Sequence, residues 1–112
     1  RRTLPSLPNS DQSAEPFLTV EHLVALHVGA IERFGGSHGV RDRGRLESAL
    51  ARPLAGFEGS RIYQTPFTRA GALAEGIIQN DPFMDGNKRT AMLAMGAWLF
   101  RATSPWPLLT IG

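Results

Sequence analysis

Apolar positions along this chain recur at the spacing of a helix, and nowhere do they alternate over a stretch long enough to build a sheet. Leu23, Leu26, Ala30 and Phe34 define a first helix, with Thr19 as its N-cap and Gly35-Gly36 as its stop. Asp42 caps a short second helix carrying Leu46, Ala49 and Leu50, which Pro53 ends. After an irregular connection over 56–66, a third helix carries Ala70, Leu73, Ala74 and Ile77. A fourth runs over about 87–101 and is apolar on every face between Ala91 and Phe100. That pattern predicts a central helix wrapped by the others. With no internal repeat, the expected fold is all-α, a compact helical bundle. Residues 1–17, rich in Pro, Ser and polar groups, read as a flexible arm, and 18–112 as one domain.

Composition narrows the class. The chain has 112 residues, enough for a single modest core, and no cysteine, which removes disulfides and Cys-based zinc sites. A net charge of +2 gives no support to direct nucleic-acid binding. No apolar stretch is long enough to cross a bilayer, and Arg1-Arg2 is not followed by the apolar run of a signal peptide, so no membrane role and a cytoplasmic location are expected.

The chemistry concentrates in the segment Asn80-Asp81-Pro82-Phe83-Met84-Asp85-Gly86-Asn87-Lys88-Arg89-Thr90. Asp85-Gly86-Asn87 is a turn signal, and the helix that follows it directs free N–H groups and the positive end of its dipole into that turn. Lys88 and Arg89 are badly placed there for the dipole, a conflict that a multiply charged anion between them would resolve. Gly86, Asn87, Lys88 and Arg89 are therefore candidate phosphate-binding residues, and Asp85 a candidate Mg²⁺ carboxylate. An ordinary Asp-Gly turn with two solvated basic residues explains the same residues equally well. Phe83, flanked by polar residues, is expected to plug the core and anchor the loop.

The segment resembles the signature of the Fic/Doc family, closest to its death-on-curing (Doc) toxin branch, whose motif reads His-x-Phe-x-Asp-Gly/Ala-Asn-Lys-Arg. Phe83, Asp85, Gly86, Asn87, Lys88 and Arg89 match it. The likeness extends through Leu26-His27, Phe34-Gly35-Gly36, the turn over 39–44, Leu46-Glu47-Ser48-Ala49-Leu50 and Asn80. It implies a Fic-like bundle with the signature loop leading into a buried central helix. It also implies transfer from ATP, with Mg²⁺, to a protein hydroxyl: terminal phosphate to a threonine of elongation factor Tu in the Doc branch, AMP in most Fic proteins. Lys88-Arg89 in place of Gly-Arg, and Met92 where many AMP-transferring members have a second Arg, favour the Doc reading. Gly71 stands where the internal inhibitory motif needs a hydroxyl residue, so inhibition falls to a Phd-type antitoxin.

Asp81 departs from that motif, standing where the family has its general base His. An ordinary Asp, near 3.9, is a much weaker base than a His near 6.5, and its charge repels a triphosphate by about 4 kcal/mol per close pair at an effective dielectric near 20. Losing a general base costs about 10²- to 10⁴-fold, although protein kinases do receive a hydroxyl proton on an Asp. The resulting expectation is a severely weakened or silent transferase that still binds, with Asp81, Lys88 and Arg89 as its catalytic positions. An AMP-transferase and a non-catalytic antitoxin- or nucleotide-binding module are the alternatives.

Other features read as structure. Arg41, Arg43 and Arg45, interleaved with Asp42 and Glu47, suggest a solvated face. His22, His27 and His38 lack metal-ligand company, and His27 reads as a packing residue; Trp98 reads as core. Residues 60–66 lie where Fic-like proteins carry a flap that aligns the target, or are only a connection. Doc-like chains continue past the central helix, whereas Ser104-Pro105-Trp106-Pro107 breaks the pattern. Part of the bundle is therefore expected to be missing, leaving apolar surface around Leu108, Leu109 and Ile111 for a second copy or an antitoxin helix.

Overall fold

The structure is a computed structural model that describes residues 18–104. The arm over 1–17, Trp106, and the apolar surface expected around Leu108, Leu109 and Ile111 lie outside the described residues. Four helices form in the expected places: α1 (Val20–Phe34), α2 (Arg43–Ala51), α3 (Pro66–Asn80) and α4 (Asn87–Thr103). Thr19 caps α1 through a reciprocal pair in which its Oγ1 accepts from His22 N–H at 3.2 Å while its own N–H donates to His22 Nδ1 at 3.0 Å. Asp42 caps α2, accepting from Arg45 N–H at 3.3 Å. Pro53 sits inside a short 3₁₀ turn, Arg52–Leu54, that ends α2. Thr65 with Pro66 at the first helical position starts α3, a start signal the sequence carries beside the apolar spacing.

α3 and α4 pack together most extensively, α2 lies against α3, and α1 lies against α4. Leu23, Leu46, Ala49, Ala70, Leu73, Ile77, Phe83, Ala91, Ala94 and Trp98 form the core between them. Phe83 and Trp98 are both fully buried, as their sequence contexts predict.

Three expectations change. The connection over 56–66 holds a small hairpin, β1 (Gly56–Phe57) paired antiparallel with β2 (Ser60–Arg61), with Glu58 and Gly59 both at positive φ in its two-residue turn. Each strand has only two residues, too few to show alternation. α4 is not enclosed on every side: Met92, Leu93 and Phe100 are exposed, and only Thr90, Ala91, Ala94 and Trp98 are buried along it. Finally, the buried stripe of α1 is Val20, Leu23, His27, Ala30 and Ile31, so Phe34 stands outside the core, 52 % exposed.

Because Phe83 is the largest buried side chain that the loop between α3 and α4 contributes, Phe83→Ala should cost about 3 to 5 kcal/mol. Urea denaturation measures this, and an unchanged midpoint would show that the loop is held some other way.

Candidate active site

The loop over 81–86 begins where α3 ends. Asp81 is the C-cap of α3 in the left-handed conformation (φ 54°, ψ 52°), a region that Asp, Asn and His enter more readily than other non-glycine residues. This sharp exit turns the chain under the core and drops the Phe83 ring onto His27, with centroids 3.9 Å apart and planes within 4° of parallel. His27 Nε2 lies 2.8 Å from the Asp85 carbonyl oxygen. A carbonyl only accepts, so Nε2 carries the proton and donates. His27 is thus a packing residue, as expected, and also a tether for the turn that bears Asp85. Its signal in the sequence is a lone polar residue on an otherwise apolar helical stripe.

Asn87 closes the loop from the other side. Its Oδ1 accepts from Phe83 N–H at 2.9 Å, and its Nδ2 donates to Phe83 C=O at 3.0 Å and to Asp81 Oδ1 at 2.6 Å. One amide therefore satisfies both backbone groups of the anchored residue. From the rim, the segment over 39–42 pairs with the loop: Arg41 N–H donates to Pro82 C=O at 2.7 Å and Met84 N–H to Gly39 C=O at 3.0 Å.

The arginine cluster is not a uniform solvated face. Arg43 is: it pairs with Glu21 and Glu47 on the surface and holds the Glu21 carboxyl below its ordinary range. Arg45 instead donates to Asn80 C=O at 3.1 Å while Asn80 Nδ2 donates back to Arg45 C=O at 3.0 Å. Arg41 grips Asp81 twice, through Nε to its carbonyl at 3.1 Å and through a guanidinium nitrogen 3.2 Å from Oδ2. Both arginines satisfy carbonyls that the end of α3 leaves without helical partners. Nothing local announces this, because the partners lie 35 to 40 residues away.

α4 then starts at Gly86, which is left-handed (φ 72°) and offers no side-chain cap. A Cβ there would come within 3.1 Å of Ile31 Cδ1, so glycine, which also enters φ 72° freely, lets the turn sit this close to α1 without shifting that side chain. The N–H groups of the first turn thus have no helical acceptor. Asp81, Met84, Asp85, Gly86, Asn87, Lys88, Arg89 and Met92 line one open cleft of about 550 Å³ at that helix end. Every candidate site residue of the sequence falls in it. Residues 60–66 do not line it.

Asp85 is exposed, and each carboxylate oxygen accepts one backbone N–H: Oδ1 from Gly86 at 2.8 Å and Oδ2 from Ser37 at 3.0 Å. Lone pairs remain on both, which suits a hard cation such as Mg²⁺. Among the described residues no three His, Asp or Glu converge as a metal cage, so such an ion would take its other ligands from phosphate and water. Arg89 lies with its guanidinium carbon 3.9 Å from the centroid of the Phe34 ring. Asp81 differs from the bare charge the sequence suggests. Arg41 offsets it, so the repulsion expected toward a phosphate is reduced, and both its oxygens already serve as hydrogen-bond or ion-pair acceptors.

The family model described as Fic/DOC family matches residues 17–99. The chain belongs to the Fic/DOC family. Over 67 residues it is 45% identical to "Toxin Doc" of Mycolicibacterium smegmatis, covering 60% of this chain and 50% of that protein. Over 78 residues it is 37% identical to "Protein kinase doc" of Escherichia phage P1, covering 67% of this chain and 59% of that protein. The chain thus spans about half to three-fifths of the curated relatives it matches. No solved structure matches it. Among the described residues no helix is long and apolar enough to cross a membrane.

The division of labour in the loop predicts unequal losses. Asn87→Ala strands the Phe83 backbone groups and should cost about 1 to 3 kcal/mol. Asp81→Asn removes a charge and one of two acceptor oxygens, but at side chains 41% and 50% exposed, where water can serve the donor left over, so it should cost less than about 1 kcal/mol. Equal losses in urea denaturation would show that charge, not the amide, holds the loop.

Proposed function

We propose that this chain is a Doc-type toxin domain that binds ATP with Mg²⁺ and acts on a hydroxyl side chain of a protein target, with transfer weakened by Asp81. The observation that carries this reading is the convergence of Asp85, Gly86, Asn87, Lys88 and Arg89 on one cleft at an uncapped helix N-terminus. The cleft combines what triphosphate binding needs: free N–H groups, a bidentate cation, a second point charge and a metal carboxylate. The names of the two relatives, a toxin and a protein kinase, favour phosphate over AMP transfer. In that reaction the target hydroxyl oxygen forms a bond to the γ-phosphorus, the bond from that phosphorus to the β-phosphate bridge breaks, ADP leaves, and the hydroxyl proton must be accepted. The target proposed is a threonine of elongation factor Tu, and the inhibitory partner a Phd-type antitoxin, both from the Doc resemblance.

Asp81 is poorly suited to take that proton. Its Oδ1 already accepts from Asn87 and its Oδ2 is paired with Arg41, so a target hydroxyl would compete with two donors for the lone pairs that remain. The same contacts favour a second reading, a module that binds nucleotide or antitoxin and does not transfer. Mass analysis of elongation factor Tu after incubation with ATP and Mg²⁺ separates the readings: a phosphate-sized gain, an AMP-sized gain, or none.

Arg89→Ala should weaken ATP–Mg²⁺ affinity by about tenfold or more, the scale of a lost charge-assisted hydrogen bond. Unchanged affinity at moderate salt would remove the phosphate role. Asp81→His should raise transfer by at least about 10²-fold with nucleotide affinity similar or better. A folded, nucleotide-binding but inactive His variant would put the binding module ahead of the enzyme.

A further inference from the structure

Phe34 is a large aromatic residue left half in solvent at the end of α1, outside the buried stripe of that helix. Its ring lies under Arg89, guanidinium carbon 3.9 Å from the centroid, whereas the neighbouring Arg33 stands off at 5.8 Å. Among the described residues no ion pair engages Arg89. Arg89 also sits in the first turn of α4, where the helix dipole repels a cation. Without a partner a guanidinium so placed would swing into solvent. The negative face of the ring offsets that repulsion and leaves the N–H edges of the guanidinium unspent. The turn that follows Phe34 reaches the second charged group of the cleft: Ser37 N–H donates to Asp85 Oδ2 at 3.0 Å. Gly36 makes this approach possible, because at φ 118° a Cβ there would lie 2.8 Å from that same oxygen. One short segment, residues 34–37, therefore holds both the cation and the carboxylate.

We propose that Phe34 is a positioning residue for the anion site, holding Arg89 by a cation–π contact so that its N–H edge is presented to phosphate oxygens. This rests on the phosphate role of Arg89 given above. Phe34→Leu keeps an apolar side chain at an exposed position and removes only the π face. Binding of ATP–Mg²⁺ and of inorganic tripolyphosphate, by calorimetry on variants whose melting is checked by circular dichroism, gives the test. Phe34→Leu should weaken both probes equally, by about 3- to 5-fold, the size of an exposed cation–π contact. Phe34→Trp should restore them, and in an Arg89→Ala background Phe34→Leu should add no further loss. Weaker binding of ATP alone would mean that the ring meets the base, and overturns the proposal. Unchanged binding in Phe34→Leu, while Arg89→Ala weakens it, also overturns it and leaves the anion site standing. Unchanged binding in Arg89→Ala overturns the anion-site reading and this proposal with it.

Discussion

The stacking of Phe83 on His27, closed by the His27 Nε2–H bond to the Asp85 carbonyl, fixes the loop backbone on which the cleft is built. The ring is the loop's anchor in the core, and the imidazole ties the backbone two residues later to α1. Between these points the chain has no freedom to move Asp85 or Gly86 without breaking a buried contact. Interiors are close-packed and respond to such strain as a unit. The charged rim is therefore built on an apolar stack, and the Asn87 amide only completes what the stack begins.

Much of this was legible in the sequence, because it depends on local rules. Thr19 and Asp42 cap helices by bonding N–H groups three residues on, and the spacing of Leu23, Ala30, Leu46, Ala70, Leu73 and Ile77 marks buried faces. The cleft residues are legible for the same reason: they are nearly contiguous, and a turn leading into a helix brings them together without help from the fold. What escaped depends on distant partners. Arg41 and Arg45 alternate with acids as a surface stretch would, yet they satisfy carbonyls at the far end of another helix. Phe34 fits the apolar period of α1 but falls at its last position, beyond the reach of the core, and there it meets Arg89. Apolar composition around α4 misled for a related reason, since a helix with no charged face still needs neighbours to cover it, and the described residues cover Met92, Leu93 and Phe100 only in part.

Electrostatics in the cleft is a balance between fixed pairs. Arg41 and Asp81 offset each other, while Lys88 and Arg89 face the cleft with no carboxylate bridging to them among the described residues. The cleft thus keeps an excess of positive charge toward an incoming anion, with Asp85 opposing it and available to a divalent cation. In the proposed role a metal-bound polyphosphate suits such a site better than a free carboxylate would, because only the former supplies both an anion for the arginine and a cation for the aspartate.

The left-handed backbone at Asp81 has a consequence for how such a loop can change over time. A φ of 54° disfavours β-branched residues most and is adopted most readily by a handful of polar ones, asparagine, histidine and aspartate among them. Exchange within that handful leaves the exit from α3 intact, so a proton acceptor and an ion-pairing acid are interchangeable as far as chain geometry is concerned. Position 81 can therefore drift between chemistries while the scaffold stays folded, and the selection that retains one or the other acts on what the domain does rather than on whether it stands.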